Sequence, residues 1–198
     1  MNLNSINQTH LFGHKELFSV LKNLFDNDKL PNKLLFSGPK GIGKCTLSYH
    51  LTNYIFSKNE DFTYDCNKFQ INKKNKSYKL ICNNSHPNFF LINLKDEKKF
   101  IDINQVRDMI NFTNKSSFDN SNKIIIIDNL EYLNLNSTNA LLKIIEEPNE
   151  KVFFFLIHDI KKNISNTLSS RCIKFKVHLE KNSNVEIINT LIDNKFYV

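Results

Sequence analysis

The chain predicts an α/β fold built on a parallel sheet, and three observations carry that prediction. A glycine-rich run, Gly38-Pro39-Lys40-Gly41-Ile42-Gly43-Lys44-Cys45, stands between a short apolar strand and a helical pattern. An unbroken β-branched run, Ile124-Ile125-Ile126-Ile127, ends in Asp128, as parallel strands covered on both faces do. Strand-like and helix-like segments alternate along the chain, the pattern of parallel α/β sheets.

Taken in order, His14 to Asp28 carries Leu17, Leu21, Leu24 and Phe25 at helical spacing, with Pro31 as its expected stop. Lys33 to Ser37 reads as a buried strand feeding the glycine run, and Leu47, Leu51, Tyr54 and Ile55 place a helix behind it. Ser57 to Ser85 is polar, lysine-rich and without clear period, so an irregular or flexible insertion is expected there. Asn88 to Leu94 returns to strand, and Asp102 is positioned to cap a helix with Ile103, Val106 and Ile110. Ser137 is the expected cap of a helix running through Ala140, Leu141, Leu142, Ile144 and Ile145 to Pro148. Val152 to Ile157 is a further buried strand, Leu168 to Cys172 a turn or short helix, and Ile173 to Val177 another strand. A last helix is expected from Asn184 to Asp193. One domain over residues 1–178, with an insertion at 57–87, followed by the start of a helical unit at 179–198, is the organisation this predicts.

Composition excludes some classes and weakens others. At 40% hydrophobic and 24% charged residues, the chain has the makeup of an ordinary globular domain. No apolar run reaches the length of a membrane span, and Met1 to Ser5 lacks the basic and apolar regions of a signal peptide. The cytoplasm is the expected address, with no membrane partner. Cys45, Cys66, Cys82 and Cys172 are too few and scattered for a disulfide framework. Zinc is not expected either, since Cys66 and Cys82 are separated by fifteen residues with no cysteine close to either. A formal charge of +7 would invite nucleic acid, but lysine supplies all but two of the positive charges. With abundant asparagine and isoleucine and a single alanine, that skew reads as compositional drift. Residues that resist it, Arg107, Arg171 and Ala140, therefore stand out.

The glycine run matches G-x-x-x-x-G-K, in which backbone N–H groups surround a phosphate and a lysine neutralises it. Gly38, Gly41, Gly43, Lys44, Cys45 and Asp128 are the predicted nucleotide-binding residues. The Ser or Thr that normally closes the motif holds Mg²⁺, and Cys45 is a poor ligand for that hard cation. Asp128 stands where phosphate-loop ATPases keep a Mg²⁺-orienting aspartate. The next residue is Asn129, which cannot serve as a base, and Glu131 is expected to point elsewhere. ATP or ADP binding is thus expected to be weak or vestigial, and intrinsic hydrolysis absent. Arg171, within Ser170-Arg171-Cys172, offers a planar fork suited to phosphate, whereas Arg107 has no such context and reads as structural.

These motifs, with Asn139 to Pro148 (NALLKIIEEP) as the most specific stretch, resemble the ATPase-like domain of bacterial DNA polymerase III clamp-loader subunits from His10 to Leu179. The resemblance implies an AAA+ phosphate-loop domain, a parallel β-sheet flanked by helices, with residues 179–198 starting its small helical lid. Within the family the chain is similar to the delta-prime branch, the stator, whose nucleotide site is commonly degenerate. The motor branch, gamma and tau, carries a complete loop, an acidic residue after the aspartate and a four-cysteine zinc module. The resemblance implies a hetero-oligomer with gamma or tau, delta, the sliding clamp and, through the complex, primer-template DNA. It implies further that Arg171 acts in trans as an arginine finger for a neighbouring ATPase. Family members are longer, with a lid and collar, so a fragment or truncated product is expected. Two rivals remain: a catalytically active gamma- or tau-like motor using Thr46, and a helicase-loader or DNA-repair relative.

Overall fold

The computed structural model describes residues 4–95, 98–115, 121–147 and 151–179. A single five-stranded sheet organises them, in the order β2-β3-β4-β1-β5, from β1 (Lys33–Gly38), β2 (Phe89–Ile92), β3 (Lys123–Ile127), β4 (Val152–Asp159) and β5 (Ile173–Lys176). Every neighbouring pair is parallel. The expected parallel α/β architecture is therefore what the chain adopts.

Side chains of a strand alternate between faces, and here each face has its own core. Leu34 and Phe36 of β1, Ile124 and Ile126 of β3, and Phe153, Phe155 and Ile157 of β4 lie on one face. They pack with α1 (Lys15–Asp26) and α2 (Lys44–Ser57). Leu35, Ile125, Ile127, Phe154 and Leu156 lie on the other, with α4 (Ile103–Asn114) and α5 (Leu135–Glu146). Double coverage explains why β3 and β4 are buried at every position and carry the apolar runs Ile124 to Ile127 and Val152 to Ile157.

Three helix boundaries bear on the sequence expectation, and two of them differ from it. α1 ends at Asp26, where Asn27 turns its N–H back to Asn23 and Asp28 takes a left-handed φ of 54°. The left-handed residue, rather than Pro31, breaks the helix. α5 is capped by Asn134, whose side chain accepts from the Ser137 N–H, so Ser137 lies buried in the first turn instead of capping it. The cap expected at Asp102 is present and reciprocal, with Gln105 returning a bond to the Asp102 backbone.

The segment expected to be irregular contains a helix, α3 (Lys76–Cys82), and a polar network that holds it. The Glu60 carboxylate accepts from the Asn75 side chain, the backbone N–H groups of Lys76 and Ser77, and the Ser77 hydroxyl. Ser77 Oγ lies 3.1 Å from His86 Nε2, and the His86 ring stacks on Phe56 at 4.2 Å. Periodicity could not reveal this, because side-chain bonds rather than a repeating apolar face order the segment. A short helix, α6 (Asn166–Ser169), precedes β5. The expected helix from Asn184 to Asp193, and the lid it would begin, lie outside the described residues. No helix among those described is long and apolar enough to cross a membrane.

Candidate functional site

The glycine loop lies at the C-terminal end of β1, where parallel α/β sheets place their ligand sites. Gly41 and Gly43 adopt left-handed φ values of 81° and 97°, and Gly43 opens α2. That reversal is what turns consecutive N–H groups toward a common centre. Lys44, the first residue of α2, is buried and donates to the Gly38 carbonyl at 2.7 Å and the Pro39 carbonyl at 2.6 Å. Burial lowers its proton affinity, and the charges of Asp159, Asp128 and Glu131 oppose that shift.

β4 separates β1 from β3, and the C-terminal ends of all three strands converge on the loop. Asp128 follows β3, where its N–H bonds the Ile92 carbonyl at 2.8 Å and its carboxylate accepts the Asn129 N–H at 2.9 Å. Burial raises the Asp128 pKa, and the Glu131 charge adds to the rise. The Cys45 side chain meets Asp128, with Ser5 also beside it. Burial and the Asp128 charge push the thiol far up, so Cys45 stays protonated. The sequence-predicted residues Gly38, Gly41, Gly43, Lys44, Cys45 and Asp128 are thus gathered in one place.

Glu131 corrects the sequence expectation. Asn129 takes a left-handed φ of 60° and starts a 3-10 turn from Leu130 to Tyr132, with the Tyr132 N–H bonded to the Asn129 carbonyl. This turn brings the Glu131 carboxylate back to the site, where it accepts the Asp159 N–H at 3.2 Å. Its charge is felt by both Lys44 and Asp128. Counting three positions along an extended chain misses it. Asparagine tolerates the left-handed region better than most residues, so Asn129 has a backbone role of its own.

His14 is a second residue that sequence reasoning missed. Its Nε2 donates to the Ile42 carbonyl of the loop at 2.7 Å, and burial lowers its pKa, helped by His178 and Lys44. A neutral ring with its proton on Nε2 fits that bond. His14 makes this contact from a left-handed φ of 54° before α1, which no local pattern signals.

The arrangement fits an anion better than a hard cation. The loop offers two left-handed glycines and a lysine, whereas the Mg²⁺ positions hold a protonated thiol and a carboxyl whose pKa is raised. Mg²⁺ therefore does not fit these residues well. Among the described residues no group of three or more histidines, cysteines, aspartates or glutamates is placed to hold a metal ion.

Arg171 lies away from this cluster, after α6, with its side chain exposed. Its guanidinium pairs with Glu146 at the end of α5 at 2.8 Å. Arg107 is exposed on α4 and lines a groove with Ile103 and Ile110 of its own helix and Ala140, Lys143 and Ile144 of α5. The structural role read for Arg107 from sequence finds no ion pair among the described residues.

A parallel sheet in this order, with a glycine loop after the strand next to one edge, defines an AAA+-type phosphate-loop domain. A family model described as DNA polymerase III, delta subunit, matches residues 13–181, and the chain belongs to that family. It is 29% identical over 140 residues to DNA polymerase III subunit delta' of Pseudomonas aeruginosa, covering 71% of this chain and 41% of that protein. It is also 29% identical over 170 residues to subunit gamma of Buchnera aphidicola, covering 85% of this chain and 44% of the relative. The chain thus spans less than half the length of these curated relatives. Among solved structures it is similar to a DNA polymerase III gamma subunit-related protein of Thermotoga maritima, with a TM-score of 0.58 at 20% identity. That match covers 82% of this chain and 47% of the other, and supports the fold.

Proposed function

We propose that the chain is a delta-prime-like stator of the clamp loader of DNA polymerase III. In this reading it helps motor subunits load the sliding clamp onto primed DNA without hydrolysing ATP itself. The observation that carries the reading is Cys45 against Asp128. The loop keeps its shape, yet the pair that should hold Mg²⁺ has become a protonated thiol beside a carboxyl of raised pKa. Asn129 in place of a base agrees with this. Bound ATP or ADP would be a weak occupant of Gly38, Gly41, Gly43 and Lys44. Residues 1–178 would form the AAA+ domain, and residues 179–198 would begin the lid.

In the assembly, Arg171 would complete the ATP site of an adjacent gamma or tau motor, with delta, the clamp and primer-template DNA as the remaining partners. An arginine finger contributes roughly 10³ to 10⁵ in turnover. The test is Arg171→Ala in a reconstituted loader. Clamp- and DNA-stimulated ATPase should collapse while assembly persists, and an unchanged rate would sink the assignment. Turnover by the purified chain with Mg²⁺, lost on Lys44→Ala, would instead establish a gamma- or tau-like motor.

A further inference from the structure

Glu146 is a carboxylate of the α5-ending stretch Ile144-Ile145-Glu146-Glu147, and its Oε1 accepts the Arg171 Nε–H at 2.9 Å and stands 2.8 Å from Nη2. The Arg171 Nη1 donates to the Thr167 carbonyl in α6 at 3.0 Å. An arginine has five N–H donors in a rigid plane. Two are hydrogen-bonded among the described residues, and Nη2 is in ion contact with the same Oε1, so N–H groups remain for another acceptor on both terminal nitrogens. Two parallel donors at the end of the fork are what two oxygens of one phosphate require.

The flanking residues fix the backbone beneath this fork. Ser170 Oγ donates to the same Thr167 carbonyl at 3.1 Å. Cys172 is buried, with its Sγ 3.3 Å from the Leu168 carbonyl. Leu168, Cys172, Leu141 and Ile145 share one apolar core, so α5 and α6 are packed together under the pair. Ser170 and Arg171 thereby converge on one carbonyl, while Cys172 anchors the chain below them.

We infer that Glu146 is the positioning residue of Arg171, holding its guanidinium side-on so that its free end faces a partner's phosphate. The inference rests on the stator reading above. A guanidinium ordered before docking does not lose that freedom on docking, and misplacing a catalytic group costs rate more than substrate affinity. Glu146 touches no substrate and acts only through Arg171.

The experiment uses the reconstituted loader and reads kcat and KM for ATP separately, with assembly and the melting temperature of each variant measured alongside. Glu146→Ala should lower kcat about three- to tenfold with KM unchanged. Glu146→Gln, whose Oε1 can accept the same Nε–H, should restore kcat to within about twofold. Adding Glu146→Ala to Arg171→Ala should cost nothing more. Glu146→Leu, which keeps the bulk and helix propensity, serves as the second variant if alanine impairs folding. Loss of turnover on Arg171→Ala with full turnover in both Glu146→Ala and Glu146→Leu overturns the positioning role and leaves the stator reading standing. Full turnover in Arg171→Ala overturns both.

Discussion

Cys45 at the start of α2 and Asp128 at the end of β3 meet side chain to side chain across the floor of the phosphate loop. They occupy the two positions from which a hydroxyl and a carboxylate would hold a divalent cation. A thiol that keeps its proton and a carboxyl inclined to take one are poor substitutes.

Restoring the hydroxyl should restore the cation. Cys45→Thr is expected to make binding of a fluorescent ATP analogue Mg²⁺-dependent, tightening it about tenfold, or roughly 1.4 kcal/mol. Hydrolysis should remain absent because Asn129 is unchanged. Equal affinity of the variant with and without Mg²⁺ would count against the reading.

Asp128 has a raised pKa, so the folded chain holds this proton at pH values where the unfolded chain has lost it. Its contribution to stability is complete below the ordinary value of 3.8 and is lost as pH rises through the folded value. Asp128→Asn removes the penalty. At pH 7 the variant should melt a few degrees higher, about 3 °C per kcal/mol for a chain of this size. The gain should vanish near the ordinary value of 3.8, and a pH-independent difference would rule out this cause.

The buried imidazoles act in the opposite sense. Burial depresses His86 to about 4 and His50 to about 3. Stability from these groups is complete above 6.5 and is lost as pH falls through 4 toward 3. Ring chemical shifts should report both imidazoles as neutral at about pH 5.5, above both folded values. A His86 half-protonated near its ordinary value of 6.5 would contradict the stacked, bonded placement against Phe56 and Ser77.

Two loop glycines should respond unequally to alanine. A Cβ on Gly38 would lie 2.2 Å from the Val177 carbonyl oxygen, a backbone atom of a residue held by its N–H bond to Ser37. Gly38→Ala should therefore cost about 2–3 kcal/mol by overpacking. Gly41 has open space around it and only its left-handed φ to lose, so Gly41→Ala should cost about 1 kcal/mol. Urea denaturation of the two variants gives the comparison, and equal costs would refute it.

The sheet was legible because Ile124 to Ile127 and Val152 to Ile157 advertise burial on both faces, and Gly38 to Lys44 marks the turn from strand to helix beside them. What escaped was built by backbone conformations that residue patterns do not announce. Left-handed φ values at His14 and Asn129 bring one imidazole and the Glu131 carboxylate to the loop, each from outside the motif. The Glu60 network was hidden for a related reason, since its partners span residues 60 to 77 with no repeating spacing. Asn134 and Ser137 are both good capping residues, and spacing alone does not choose between them.

Lys44 already holds the Gly38 and Pro39 carbonyls at 2.7 and 2.6 Å. An ammonium has three N–H donors, so capture of a phosphate by this loop would use the third or exchange one of the two carbonyls for the newcomer. Where exchange is needed, the measured affinity is the intrinsic one reduced by the fraction of molecules in which that carbonyl is released.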